Sequence, residues 1–160
     1  MITNRIYVAD LAEYNNGTMK GIWIDLPCDD IHATVKEMLG SNEEWAIHDY
    51  ELPFKISEYE DLDSLNEITE KLVTLDDTDT AKIEFLMWNG ETIERSLELY
   101  EDVEMYESTT LEDLAEMMID EGLFGEIPDL ISNYIDYEKL GRDLSVDYIE
   151  HNGNLFRGDY

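Results

Sequence analysis

The sequence has few basic residues. Its 160 residues include 10 Lys and Arg beside 40 Asp and Glu, which gives a formal net charge of −30 at pH 7. A protein that binds nucleic acid neutralises phosphates with clustered Lys and Arg, and anionic membranes attract polybasic segments. The shortage therefore excludes an ordinary nucleic-acid-binding protein and argues against a protein that binds anionic membranes.

Cysteine and long apolar runs are also scarce. Cys28 is the only cysteine, so no disulfide can form within the chain. No run of about 20 apolar residues is available to span a bilayer. The N-terminus lacks the apolar stretch of a signal peptide. From these absences we expect a soluble protein of the cytoplasm.

Acidic residues are distributed along the whole chain and are interleaved with apolar ones, as in residues 97–106. Hydrophobic residues make up 43% of the sequence and aromatic residues 11%, which is too apolar for a disordered acidic tail. The pattern indicates elements that bury one face and leave carboxylates on the other. It predicts a folded body with an unusually negative surface.

Residues 1–58 are predicted to form an N-terminal α+β domain with an antiparallel sheet and one helix. Its strands are predicted from β-branched and aromatic residues, over residues 3–9, 21–26 and 45–51. A helix is predicted between Asp30 and Gly40, which are the residue types of an N-cap and a C-terminal stop. The residues expected to hold this domain together are Tyr7, Trp23, Trp45 and their aliphatic neighbours.

Two further domains are predicted downstream, so that the fold is α+β in an elongated chain of three small units. Residues 59–105 are predicted to be a mainly helical middle domain, because leucine and isoleucine recur at three- and four-residue spacing. Helices are expected from about residue 57 onward with a break at residues 76–80, and a strand within residues 97–106. Residues 106–160 are predicted to form a C-terminal α+β domain. Its helices and final β-hairpin are predicted over residues 110–122, 128–134, 136–144 and 148–157.

No pattern typical of a catalytic or zinc site is present. The histidines are His32, His48 and His151, and no His-x-x-x-His or Cys-x-x-Cys pair occurs. His48 and Asp49 are a pair of the kind in which a carboxylate orients an imidazole for base catalysis. The local sequence marks no Ser or Cys nucleophile for them, so an ordinary strand is expected. Cys28 is expected to be a buried, inert thiol.

Calcium binding is considered because residues 76–79 place oxygen ligands at alternating positions, as the start of an EF-hand loop does. The loop lacks Gly at its sixth position, where Ala81 stands, and Glu at its twelfth, where Met87 stands. A helix-capping linker is therefore the expected structure. We predict no catalytic, cofactor or metal site and no enzyme activity.

Several segments together resemble the ArdA family of antirestriction proteins. The similar segments, in order, are residues 5–11, 14–17, 21–25, 46–54, 125–128 and 133–144. The last of them, Asn133 to Leu144, is similar to the antirestriction motif of the family. The similarity covers most of residues 5–58 and 110–150 and is looser across residues 60–105.

The resemblance implies an elongated, three-domain homodimer that is encoded on plasmids and other mobile genetic elements. Members of the family inhibit type I restriction-modification enzymes by imitating the bent B-form DNA that those enzymes bind, and they dimerise through the C-terminal domain. By resemblance, the antirestriction motif and dimer interface comprise Tyr134, Asp136, Tyr137, Gly141, Arg142 and Asp143. For the tyrosines, core packing and an interface role both stay open.

The charge pattern is compatible with DNA mimicry. Duplex DNA carries one phosphate charge per roughly 1.7 Å of its axis. Carboxylates at positions i and i+4 of a helix lie about 6 Å apart along the helix axis, which approaches the spacing of successive phosphates. The residues expected to form this acidic surface are Asp61, Asp63, Glu67, Glu70, Asp76, Asp77, Asp79, Glu84, Glu112, Glu116 and Asp120.

These expectations lead to three hypotheses of different classes. The first is a competitive inhibitor that fills the DNA-binding cleft of a type I specificity subunit, with no cofactor and no binding to nucleic acid or membrane. The alternative is an acidic interaction module that competes with DNA for another basic nucleic-acid-binding protein. The third is a divalent-cation-dependent enzyme, which would require specific metal uptake and turnover.

Overall fold

The computed structural model describes residues 3–157, and over these residues the chain has mixed α+β structure. It contains two separate three-stranded antiparallel sheets and eight α-helices within that range. The α+β class predicted from the sequence is confirmed. The chain divides into two compact units, Met1–Thr80 and Ala81–Tyr160, each of which holds one sheet.

The division into three domains stays a prediction. Residues 1, 2 and 158–160, which belong to the first and third predicted domains, lie outside the described residues.

The first unit is built around a sheet of order β2-β1-β3. Its elements are β1 (Arg5–Asp10), α1 (Leu11–Asn15), β2 (Gly21–Asp25), α2 (Ile31–Leu39), β3 (Trp45–Glu51) and α3 (Leu62–Leu72). The next helix, α4 (Asp77–Trp88), begins in this unit and continues in the second. The three predicted strands and the helix between Asp30 and Gly40 are therefore confirmed.

The core of the first unit is aliphatic. Ile6, Val8 and Ile24 of the sheet are buried, as are the residues of α2 that carry its apolar face, which are Ile31, Val35, Met38 and Leu39. The Asp30 carboxylate accepts a hydrogen bond from the Ala33 N–H at 2.9 Å and so begins α2. Gly40, with φ +63°, ends it.

Of the residues predicted to hold this domain together, the aliphatic neighbours form the core, whereas Tyr7, Trp23 and Trp45 do not. Trp23 is exposed, and Tyr7 and Trp45 are half-buried. Alternation along β1 sends Ile6 and Val8 to the buried face of the sheet and Arg5 and Tyr7 to the other. On that outer face Tyr7 contacts Trp23, and the Arg5 guanidinium lies 4.6 Å from the Trp23 ring centroid.

The second unit has a sheet of order β4-β6-β5. Its elements are α5 (Ile93–Leu99), a 3-10 turn (Tyr100–Asp102), β4 (Met105–Tyr106), α6 (Leu111–Asp120), α7 (Asp129–Ser132), α8 (Tyr137–Leu144), β5 (Tyr148–His151) and β6 (Asn154–Arg157). Its core has one cluster in which the Phe85 and Phe156 rings stack at 4.2 Å. A second cluster joins Leu114 of α6 to Tyr148 and Leu155 of the sheet.

The segment after the Asn89-Gly90 turn differs from the prediction, which placed a strand within residues 97–106. The Thr92 hydroxyl accepts a hydrogen bond from the Arg95 N–H, which begins α5, and the strand is reduced to Met105 and Tyr106. The two buried residues of α5, Ile93 and Ser96, are three positions apart. This is the spacing of one helix face and not that of a strand.

Two helix boundaries also differ from the sequence-based expectation. Helix α3 begins at Leu62 rather than near residue 57, because the Asp61 carboxylate accepts from the Ser64 N–H and acts as its N-cap. Helix α4 begins at Asp77, so the break between the helices ends earlier than expected. The capping role expected of this segment is confirmed, since the Asp76 carboxylate accepts from the Asp79 N–H at 2.8 Å.

One acidic residue is buried among residues 3–157, and it is Asp10. Its carboxylate caps α1 by accepting from the Ala12 and Glu13 N–H groups. It also accepts from the Asn42 amide at 2.8 Å and from the Lys20 ammonium at 3.1 Å. Asp10 thus joins the end of β1, the start of α1 and two loops of the first unit.

Replacing Asp10 with Ala removes all four interactions, and we expect the Tm at pH 7 to fall by roughly 5 °C or more. The Asn42 amide, the Glu13 N–H and the Lys20 ammonium hold the pKa of Asp10 below its ordinary value. The stability linked to this shift is therefore present above the ordinary Asp pKa of about 3.9 and is lost as the pH falls further. Thermal unfolding followed by circular dichroism should show a smaller effect of the substitution at about pH 3 than at pH 7.

Asp30→Ala is the matched control for this prediction. Asp30 also caps a helix, but it is exposed and its carboxylate accepts one backbone N–H. We expect a smaller loss of Tm from Asp30→Ala than from Asp10→Ala. Equal losses would show that Asp10 acts only as a helix cap.

Candidate functional site

The acidic residues predicted to form the functional surface lie at the surface of the protein. Asp79 is half-buried, and every other member of that set is exposed. Several of them take part in local interactions within the first unit. Asp63 lies 2.7 Å from the His32 imidazole, and Glu67 forms an ion pair with Lys71 at 2.9 Å. These carboxylates therefore keep at least one oxygen in contact with the protein.

Other acids of the set are placed at helix N-termini, where backbone N–H groups and the helix dipole favour negative charge. The Ser64 N–H holds the pKa of the Asp61 carboxyl below its ordinary value. The Asp76 carboxylate accepts from the Asp79 N–H at 2.8 Å, and Asp77 lies in the first turn of α4. Negative charge at these positions stabilises the fold.

Helix α6 presents a regular acidic row. Glu112, Glu116 and Asp120 are exposed at successive i, i+4 positions, so they share one face and span about 12 Å of the helix axis. The opposite face of the helix is buried through Leu114, Ala115 and Met118. A capping box between Thr110 and Asp113 begins the helix.

The surroundings of α6 contain little positive charge in the sequence. Residues 96–138 include 14 acidic residues and no Lys, Arg or His. This segment runs from within α5 to within α8. The distribution of acids along the whole chain does not reveal this stretch, which is the longest interval of the sequence without a basic residue.

Most of the basic residues lie beside a carboxylate. The ion pairs are Arg5–Glu51, Lys20–Asp10, Lys71–Glu67, Arg95–Glu98, Lys139–Asp136, Arg142–Glu138 and Arg157–Glu104. One of them is a two-pronged contact, in which the Arg5 guanidinium donates to both Glu51 oxygens at 2.7 and 2.8 Å. Pairing of this kind leaves few positive charges free to offset the negative field.

The motif predicted over residues 133–144 forms the turn before α8 and the helix itself. The Asp136 carboxylate accepts from the Lys139 N–H at 3.0 Å and so begins the helix. Arg142 donates to Glu138 one turn earlier at 3.0 Å. Asp143 is exposed, so the charged residues of the motif lie on the surface.

Gly141 has a structural role within the motif. It is buried where α8 meets the beginning of α6, and a Cβ atom built on it would lie 2.7 Å from the Leu111 carbonyl carbon and oxygen. The lack of a side chain thus allows the two helices to approach closely.

The two motif tyrosines have different surroundings. Tyr137 is half-buried, whereas Tyr134 is 84% exposed. Core packing, one of the two roles left open for the tyrosines, is therefore wrong for Tyr134.

An exposed apolar segment was missed by the sequence analysis. It comprises residues 123–134, where Leu130 is 84% exposed and Leu123, Phe124 and Ile131 are also exposed. The segment lies between the end of α6 and the beginning of α8. Its apolar residues belong to no long periodic helix, and apolar residues without such a periodicity are the sequence signal that could have identified it. Monomeric proteins rarely expose large contiguous apolar patches.

The residues considered for chemistry are dispersed. His48 is exposed and contacts the Tyr14 ring edge-on, and the half-buried Cys28 has its Sγ 3.7 Å from the Thr34 hydroxyl. Within residues 3–157, no group of three or more His, Cys, Asp or Glu residues is arranged to hold a metal ion. No helix in the same range is long and apolar enough to cross a bilayer.

Comparison with known protein families gives one match for this chain. The model of the family described as antirestriction protein (ArdA) matches residues 6–155. No curated protein matches the chain.

Gly141→Ala tests whether this motif glycine acts through packing. On an exposed helix surface the change would stabilise the protein by about 1 kcal/mol, because Ala has the higher helix propensity. Here the new methyl group meets backbone atoms of Leu111, so we expect the free energy of unfolding to fall by about 1–2 kcal/mol in urea denaturation. Asp143→Ala, at an exposed position of the same helix, is the control and should change stability little. An unchanged or raised stability of Gly141→Ala would contradict the close helix contact.

Proposed function

Since the chain belongs to the ArdA family of antirestriction proteins, we propose that it inhibits type I restriction-modification enzymes by occupying their DNA-binding cleft with its acidic surface. In this proposal it is a competitive inhibitor that catalyses nothing and needs no cofactor. It acts in the cytoplasm of a bacterial host, from a gene carried on a mobile element.

The observation that carries the proposal is the amount of charge held on a folded body. The net charge is −30, and Asp10 is the one buried acid among the described residues. Two copies would carry twice this charge, which equals the phosphate charge of about 100 Å of duplex DNA. A cleft that binds such a length of DNA is built to receive a polyanion of this size.

The spacing of the acidic row on α6 also supports imitation of the DNA backbone. Glu112, Glu116 and Asp120 repeat at about 6 Å along one helix face, which approaches the spacing of phosphates along a strand. A helix is rigid, so these charges are held in position before binding. The ordering cost on association is therefore smaller than it would be for a flexible acidic tail.

The negative field also supports a fast encounter with a basic cleft. Opposite charges steer two proteins together and raise the association rate, and the effect weakens as salt is added. The interval of residues 96–138 contributes to this field, because 14 acids and no basic residue lie within it. We expect the salt dependence of inhibition to resemble that of DNA binding by the same enzyme.

Dimerisation is part of the proposal. The exposed apolar segment of residues 123–134 overlaps the beginning of the motif, and Leu130 and Tyr134 are each 84% exposed. Burial of such side chains against a second copy would remove apolar surface from water. We propose that this segment and the motif residues form the interface of a homodimer.

The alternative is an acidic interaction module that competes with DNA for another basic nucleic-acid-binding protein. The even distribution of acidic residues favours this alternative, since a dispersed negative field attracts many basic clefts. A pull-down from a host without type I restriction systems distinguishes the two. Capture of a specific DNA-binding protein there would favour the alternative.

The central test is displacement of labelled target DNA from a purified type I enzyme. We expect the protein to displace the DNA, and the apparent affinity to fall by roughly a hundredfold or more between about 50 and 200 mM salt. Combined neutralisation of the α6 row by Glu112→Gln, Glu116→Gln and Asp120→Asn should weaken displacement by roughly tenfold.

The control for this prediction keeps the charge and changes the side-chain length, with Glu112→Asp, Glu116→Asp and Asp120→Glu. We expect this variant to act like the original protein. Inhibition that is independent of salt, or equally weakened by both triple variants, would contradict an electrostatic mechanism.

The dimer is tested by sedimentation of Leu130→Ala combined with Tyr134→Ala. We expect the dissociation constant of the dimer to rise by about tenfold or more, because exposed aromatic and aliphatic side chains at an interface centre contribute most of its affinity. Met19→Ala, which removes an 82% exposed apolar side chain in the first unit, is the control and should leave the dimer intact. A monomeric original protein would contradict the proposed interface.

A further inference from the structure

The first unit carries an open groove beside α2, at the beginnings of β3 and α3. It has a volume of about 590 Å³ and is lined in part by Leu11, His32, Trp45, Tyr59 and Leu62. A second space of about 370 Å³ shares His32, Trp45 and Leu62 with it and continues along α2. These volumes lie in the range of small-ligand sites, which is about 300–1,000 Å³.

The groove presents aromatic surface to solvent. Trp45 is half-buried and lines both spaces, and Tyr59 is 67% exposed. Neither the Trp45 indole N–H nor the Tyr59 hydroxyl has a hydrogen-bond partner within residues 3–157. Leu62 is buried beside them and fixes the start of α3. Both aromatic residues thus line the groove beside a buried residue of α3.

Carboxylates surround the aromatic side chains. Glu43 and Glu44 line the larger space, are exposed, and their carboxylates have no hydrogen bond or ion pair in the part of the chain that the structure describes. Glu60 and Asp61 line it as well, but their carboxylates accept hydrogen bonds from Ser57 and Ser64. Two carboxylates are therefore free to accept hydrogen bonds from a ligand.

The one Lys or Arg of residues 3–157 that lines either space, Lys36, lies along the smaller one. His32, which lines both spaces, donates from Nε2 to the Asp63 carboxylate at 2.7 Å. The end that contains Tyr59 and Glu44 is consequently the negative one.

A guanidinium group has the chemistry that this end requires. It is planar, it stacks on aromatic faces, and its N–H groups donate in pairs to carboxylates. An ammonium group is attracted by the same charges but offers no flat face to stack. Aromatic rings and carboxylates at one site therefore favour arginine over lysine.

We propose that this groove binds an arginine side chain of the partner protein, with the guanidinium against Trp45 and Tyr59 and hydrogen-bonded to Glu43 and Glu44. The inference rests on the proposed function, because the DNA-binding cleft of a restriction enzyme presents arginines that otherwise contact phosphates. It adds a local anchor to a surface whose other contacts are dispersed. The anchor also differs from DNA, since a phosphate backbone offers no aromatic face.

The first experiment titrates the protein with the peptide acetyl-Gly-Arg-Gly-amide and follows the tryptophan indole N–H resonances by NMR. The chain has three Trp residues, so Trp23 and Trp88 serve as internal references. We expect a saturable shift of the Trp45 resonance alone. The matched citrulline peptide, which has nearly the same shape without the charge, should cause no saturable shift, and the lysine peptide should bind more weakly.

Tyr59→Ala should reduce the affinity for the arginine peptide by roughly threefold to tenfold, as expected for loss of an exposed cation–π contact. Tyr14→Ala removes another exposed tyrosine of the same unit and should have no effect. Equal binding of the arginine and citrulline peptides, or no response at Trp45, would overturn the proposed site.

The second experiment measures displacement of DNA from the type I enzyme by the same two variants. Tyr59→Ala should weaken displacement by roughly threefold to tenfold and Tyr14→Ala by less than about twofold. If the original protein displaces DNA and Tyr59→Ala does so equally well, the enzyme does not use the groove and the inference is overturned. If the original protein displaces no DNA, the proposed function fails, and the peptide titration alone upholds or overturns the arginine site.

Discussion

Mutual repulsion of carboxylates is the constraint on which the rest of this structure depends. With a net charge of −30, the chain stays folded only if nearly every acid keeps contact with water, and Asp10 is the one buried exception among residues 3–157. Helix N-termini relieve part of the repulsion, since Asp30, Asp61 and Asp136 each cap a helix. The apolar cores are correspondingly confined to one face of each sheet and helix.

The same constraint separates two kinds of recognition surface. Exposed acids are dispersed over both units and produce a general negative field. The apolar segment of residues 123–134 and the aromatic groove at Trp45 and Tyr59 are local features within that field. A dispersed field directs a basic partner toward the protein, whereas local apolar and aromatic contacts determine which partner stays bound and in which orientation.

The sequence predicted those elements whose signals are local. The N-caps Asp30, Thr110 and Asp136 and the Asn152-Gly153 turn gave α2, α6, α8 and the final hairpin. The strand predicted within residues 97–106 is shorter than expected, since residues 97–99 belong to α5 and only Met105 and Tyr106 form a strand. Alternating Leu and Glu over a few residues has the period of a strand. The exposure of Trp23, the packing of Gly141 on Leu111 and the groove depend on contacts between distant segments, which no local pattern contains.

The interval of residues 96–138 has a consequence for how the protein responds to its ionic surroundings. It contains 14 acids and no Lys, Arg or His. Four of these acids pair with Arg or Lys outside the interval, and the charge of the others is left to mobile counterions from the solvent. Screening by those ions lowers the internal repulsion and so favours the folded state, while it also weakens attraction to a basic partner. Ionic strength therefore acts with opposite sign on folding and on association, and the protein binds best under the conditions in which its fold is most strained.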